Sequence, residues 1–254
     1  MKQSRFLTLI SFSSTILAPV FLMLLKFFPH PYAFASIISI WAAYYIGTYI
    51  KYNITKNQIA LQIMTAASFV TLLFLTESNI LRWLLIIFSA AVFFFIAFWA
   101  EPRIDHALHI KEKPLRRMMM MVYVFNVYAL LVGLFAISLY FQRVSFVILA
   151  LIGATYSGFA AYMIWRLYYR VKYKELFLWA SICGIIVYEL MWVMKLLPFG
   201  YLALGLLIAW IWYIMQLFVR FHMSTQGIIW KNQISFLTLN VVLYILLVYL
   251  IKWI

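Results

Sequence analysis

The sequence predicts an all-α fold: a polytopic integral membrane bundle of about nine transmembrane helices, N-terminus cytoplasmic and C-terminus outside. Three observations carry the prediction. Apolar residues make up 68% of the chain and charged residues 10%, where a soluble globular chain carries about 25% charged. The apolar residues fall into nine runs near the length needed to cross hydrocarbon, roughly 20 residues. Finally, fifteen of the twenty Lys and Arg lie in alternate connectors counted from the N-terminus, which is the positive-inside pattern.

The first run, Phe6–Phe28, follows the basic pair Lys2 and Arg5. It outlasts the roughly 7–15 apolar residues of a signal peptide, and no small-residue cleavage site closes it, so a retained span is predicted. Pro19 loosens this helix just beyond the hydroxyl run Ser11, Ser13, Ser14 and Thr15. Pro29-His30-Pro31 stops it and turns the chain into the second run, Tyr32–Ile50. The third, Ile59–Thr76, is the weakest, being short and carrying Gln62 with several hydroxyls. Ile80–Ala100 is the fourth. The fifth, Met119–Tyr140, begins within the run Met118 to Met121 and holds Asn126. Val144–Trp165 and Leu176–Leu197 are the sixth and seventh. Pro198-Phe199-Gly200 makes a second tight reversal into the eighth, Tyr201–Val219, and Ile234–Trp253, with Asn240, is the ninth. Unpaired backbone groups are too costly in lipid for any of these to be other than helical. No connector is long enough to hold a folded unit, so residues 1–254 are predicted to form a single transmembrane domain.

The cytoplasmic bases are Lys2, Arg5, Lys51, Lys56, Arg103, Lys111, Lys113, Arg116, Arg117, Arg166, Arg170, Lys172, Lys174, Arg220 and Lys231. Outside stand Lys26, Arg82, Arg143, Lys195 and Lys252, one per segment. Merging or dropping one span would scramble this alternation, so the charges support the span count as well as the orientation. A net charge of +14 on a soluble chain would point to nucleic acid. Here topology accounts for the charge, and the expected surroundings are the lipid bilayer of a plasma membrane, with no nucleic-acid partner.

Small residues mark where helices approach closely, because packing has no help from the hydrophobic effect in lipid. In the sixth span Ala150, Ala154 and Gly158 form one ridge and Gly153, Ser157 and Ala161 the next. Ala180/Gly184 and Gly205/Ala209 repeat the pattern in the seventh and eighth. These ridges place the sixth helix centrally; a membrane-protein partner or a second copy is the other occupant they suit.

Glu189, in the seventh span, is the one carboxylate inside a run. A protonatable group there marks a function or a buried partner: a proton- or cation-coupling site, with Asn126 as a further polar contributor, or a carboxyl bonded to a hydroxyl, an amide or an outer base. Along the fourth connector, Glu101, Asp105, His109 and Glu112 recur at spacings of four, four and three, with His106 adjacent. Such a stripe could ligate a metal through Glu101, Asp105 and His109, or supply acid–base chemistry through Asp105 and His109; more often such a pattern is a solvated face, its acids paired here with Arg103, Lys113 or Arg116. Arg166, Arg170, Lys172 and Lys174 alternate with aromatics in the sixth connector, the pattern of headgroup contact or plain interfacial anchoring.

Absences exclude more. The single aspartate, Asp105, lies outside the spans, which removes aspartyl intramembrane proteolysis and aspartate-rich magnesium motifs. None of His30, His106, His109 or His222 lies in a span, so haem held between transmembrane histidines is out. Cys183 is alone, so no disulfide or cysteine-rich zinc site can form within the chain. No Walker A loop occurs, and no cofactor is expected. Three functional readings remain: a non-catalytic membrane module, whether subunit, sensor-like bundle or scaffold, acting through partners; a small-molecule or proton-coupled transport protein centred on Glu189; and an enzyme on a lipid or polyprenyl substrate using the Glu101–Glu112 loop.

Overall fold

A computed structural model describes residues 2–28, 30–52, 56–98, 113–168, 173–223 and 230–250. Among these it is all helix: α1 Lys2–Phe27, α2 Pro31–Tyr52, α3 Lys56–Leu75, α4 Asn79–Phe98, α5 Lys113–Tyr140, α6 Phe146–Tyr168, α7 Tyr173–Lys195, α8 Tyr201–His222 and α9 Trp230–Leu250. Each predicted run overlaps one of these helices; Tyr32–Ile50, Met119–Tyr140 and Tyr201–Val219 lie wholly inside α2, α5 and α8, and the others reach one to three residues past the bounds of theirs. The described parts of seven of them, α3 to α9, are long and apolar enough to cross a membrane, the architecture of a multi-pass membrane protein. The run that looked weakest in sequence, now α3, is one of the seven. Two of its hydroxyls are satisfied within the helix: Thr65 and Ser68 donate to the Leu61 and Met64 carbonyls one turn back, at 2.8 Å each. The described apolar stretches of α1 and α2, Ser13–Phe27 and Tyr32–Gly47, are shorter.

The chain divides into two compact units, 1–122 and 123–254. In the first, α1 meets α2, α3 and α4, and the α1–α4 contact is the most extensive. Large aromatics fill its core. Phe93 of α4 is fully buried, with Trp41 of α2 at 5.9 Å, Tyr45 at 6.4 Å and Phe69 of α3 at 6.2 Å between ring centres. Phe21 of α1 joins through Trp41 at 5.4 Å. Two pairs of polar side chains in this unit bond to each other. Trp41 Nε1 donates to the Tyr45 hydroxyl at 3.1 Å, and the Ser13 and Tyr44 hydroxyls share a hydrogen bond of 2.6 Å.

The second unit is built on a different principle. Here α6 and α7 touch backbone to backbone. A β-carbon on Gly158 would stand 2.7 Å from the Ala180 carbonyl oxygen, and one on Gly184 would stand 2.9 Å from that of Ala154. The small residues of the two helices therefore interlock, each glycine lying against the other helix's alanine carbonyl. On α8, Gly205 lies as close against the Val132 backbone of α5. Close approach substitutes dispersion contacts along the whole crossing for the water-driven burial that lipid does not provide. The α5 stretch from Leu131 to Ala136 is buried without a break, so α5 shares the centre of this unit with α6.

Candidate functional site

The α6–α7 crossing fixes which way α7 faces. Its buried residues are Leu176, Ala180, Cys183, Gly184, Val187, Met191 and Met194. Glu189 is five residues beyond Gly184, and at about 100° per residue it points about 140° away from that glycine. It is exposed. Around it on the same outward face stand Leu178, Ile182, Ile185, Trp192 and Leu196, all exposed large apolar side chains. Successive members are four, three, four, three and four residues apart, which keeps them on one stripe of the helix.

An apolar stripe facing outward from a membrane bundle suits lipid, but a carboxyl in its middle does not. A charged side chain at the centre of a membrane helix costs about 2.5–3.5 kcal/mol on insertion scales. Among the described residues no hydrogen bond or ion pair reaches Glu189. Lys195, the base nearest in sequence, lies about 9 Å further along the helix axis at 1.5 Å per residue. Its ammonium is engaged elsewhere, 4.3 Å over the Phe146 ring and 5.7 Å from that of Trp192. In the first unit Lys26 is held in the same way, 3.8 Å over Trp83, and Arg82 Nε donates to the Thr76 carbonyl at 2.6 Å. Three of the five bases outside the positive-inside set are thus clasped by a ring or a carbonyl at a helix end.

Four polar side chains of the second unit do face inward. Asn126, Ser157, Trp212 and Gln216 are completely buried. The hairpin order makes α5 antiparallel to α6 and α8, and the anchors Gly205–Val132, Gly153–Leu134 and Trp165–Gln216 set the levels. At 1.5 Å per residue, Asn126, Ser157 and Trp212 then lie within about one turn of one another along the bundle. Trp165 Nε1 donates to the Gln216 carbonyl at 3.2 Å, and the Arg220 guanidinium lies 4.7 Å over the Tyr168 ring. Asn126 and Glu189 are not brought together: one is enclosed on α5, the other stands on the outer face of α7.

All six small residues singled out on α6, Ala150, Gly153, Ala154, Ser157, Gly158 and Ala161, are buried. Of the basic connector, Arg166 and Lys174 are exposed, Arg166 lying 5.8 Å from the Tyr162 ring. Arg170 and Lys172 lie outside the described residues, as do Glu101, Asp105, His109 and the rest of the acid–histidine stripe. Among the described residues no group of three or more His, Cys, Asp or Glu could hold a metal. The contacts Trp165–Gln216, Tyr168–Arg220 and Trp210–Asn240 gave no local signal, because their partners lie 30 to 52 residues apart. The heading of Glu189 did have a signal: the Ala180/Gly184 ridge marks the packed face, and five residues of helix carry the carboxyl away from it. No protein-family model matches the chain, no curated protein is similar to it, and no solved structure resembles it.

Proposed function

We propose that this chain is a non-catalytic membrane module of nine spans, N-terminus in the cytoplasm and C-terminus outside, that acts through a partner seated on the outward face of α7. The observation that carries the proposal is the setting of Glu189: an exposed carboxyl in an apolar stripe, on the face opposite the α6–α7 crossing. Ionisable groups within spans ordinarily face the bundle interior or a water-filled path, and pair there. A carboxyl that faces outward needs its pairing group from another molecule. A coupling carboxylate for transport would have to be reached by water from each side in turn, at the interface between moving halves; an outward apolar face offers no such path. The orientation rests on the charge alternation, and a plasma membrane is the compartment that pattern suits.

The module reading is tested by extracting the tagged chain from native membranes into polymer discs without detergent and measuring particle mass. A complex with a stoichiometric second protein is expected, and Ile185→Lys should dissociate it, since an ammonium in mid-stripe blocks an apolar contact. A particle holding one 30.0 kDa chain and lipid alone refutes the proposal. Proton-coupled uptake in proteoliposomes that is lost in Glu189→Gln would establish the transport alternative in its place.

A further inference from the structure

The α7 stripe carries enough chemistry to describe what seats on it. We infer that the partner is a transmembrane helix bearing one lysine or arginine in the half of the bilayer nearer the C-terminal end of α7, placed to pair with Glu189. The inference rests on the reading of this face as a docking surface and goes further, naming the group that docks.

Charge complementarity is the first argument. Glu189 is exposed, and its flanking stripe members Ile185 and Trp192 are 59% and 39% exposed. A helix laid along the stripe covers all three together and excludes both lipid and water from the carboxyl. In that dry setting a paired cation is strongly favoured and an unpaired carboxylate strongly disfavoured. A hydrocarbon partner helix would leave the carboxyl buried with nothing to bond. Arginine or lysine satisfies it, arginine with two parallel hydrogen bonds.

The chain's own composition argues against a second copy. Copies in one membrane share an orientation, so a two-fold contact through this stripe sets Glu189 against Glu189. A head-to-tail contact would need an outer-half base at the depth of Glu189. Lys26, Arg82 and Lys195 lie at helix ends and are already held by Trp83, the Thr76 carbonyl and Phe146. A lipid ammonium is too shallow, because Glu189 sits about 9 Å below the Lys195 end of its helix.

The test uses the full chain carrying Cys183→Ala and Ile185→Cys, reconstituted in phosphatidylcholine vesicles. The probes are leucine–alanine transmembrane peptides of about 23 residues, each with a cysteine one turn from a test position about five residues off centre, at the depth of Glu189. That position holds lysine in one peptide, leucine in a second and aspartate in a third. Disulfide formation is read after a timed pulse of added oxidant. The lysine peptide should cross-link about three- to thirtyfold more than the leucine peptide, the range of a polar contact between membrane helices. Glu189→Gln should erase that preference, and Glu189→Lys should pass it to the aspartate peptide. Equal yields from the lysine and leucine peptides overturn the basic partner while leaving the α7 face as a docking surface. Cross-linking of the chain to itself in preference to any peptide overturns it in favour of a second copy. No cross-link to any peptide or copy overturns both the inference and the docking face on which it rests.

Discussion

Replacing Gly158 with alanine puts a methyl carbon 2.7 Å from the Ala180 carbonyl oxygen, where ordinary contact begins at 3.4 Å. The obstacle is backbone, which has no rotamer to change, so α6 and α7 must part by about 0.7 Å at the crossing. Gly184→Ala meets the Ala154 oxygen at 2.9 Å and demands about 0.5 Å. Overpacking of this kind costs about 1–3 kcal/mol, and for a chain of this size each kcal/mol lowers Tm by about 2–4 °C. Gly47 on α2 is the internal control, because a β-carbon there meets nothing within 4 Å. Exchanging a helical glycine for alanine in open space stabilises by roughly 0.5–1 kcal/mol, so Gly47→Ala should leave Tm unchanged or slightly raised. The double variant Gly158→Ala/Gly184→Ala should cost less than the sum of its parts, since helices already parted by one methyl have room for the second. Near-ultraviolet circular dichroism on heating, with the four variants and the parent in one detergent, reads the order. Gly158→Ala and Gly184→Ala melting at or above Gly47→Ala would refute the backbone contact.

Other outcomes follow from the same structure. Glu189→Leu should melt within about 1 °C of the parent or above it, because no group among the described residues bonds to the carboxyl; a fall of several degrees would show a partner within the chain. Trp83→Leu removes the ring beneath Lys26 and should cost about 0.5–2 kcal/mol, with Trp83→Phe losing about half as much in the same melting assay. Trp210 Nε1 donates to Asn240 Oδ1 at 3.0 Å, so Asn240→Leu should raise backbone hydrogen exchange along α9 several-fold and leave α6 and α7 protected; exchange that rises equally in all three would contradict a local tie. For orientation, a cysteine at Gln142, in the exposed turn after α5, should react with an impermeant maleimide added to intact cells. A cysteine at the exposed Lys174 should react only after lysis, and the reverse order would invert the topology.

What the sequence made legible was whatever depends on neighbours along the chain. Pro31 opens α2, and Pro198 with Gly200 separates α7 from α8, so span limits could be placed to within a few residues. The ridges at Ala154/Gly158 and Ala180/Gly184 could be read as close-approach surfaces, because small residues at spacing four have few other uses in lipid. That they interlock with each other required the tertiary structure, as did the aromatic core around Phe93, which joins side chains from four helices. The hydroxyls were polar marks in the sequence with no assigned partner. Thr65, Ser68, Thr155 and Ser181 donate to carbonyls in the preceding turn, which commits the one donor of each hydroxyl to its own helix.

The interlocked glycines also limit how α7 can move. Turning the helix about its own axis would swing Gly184 off the Ala154 carbonyl and bring a larger side chain into a gap that a single methyl would overfill. Axial rotation is therefore blocked, while tilting of α6 and α7 together keeps both glycines in place. Any force a partner applies at Glu189 would pass into the hairpin as a lever stroke, delivered to the ends of the two helices at which Arg166 and Lys174 stand exposed.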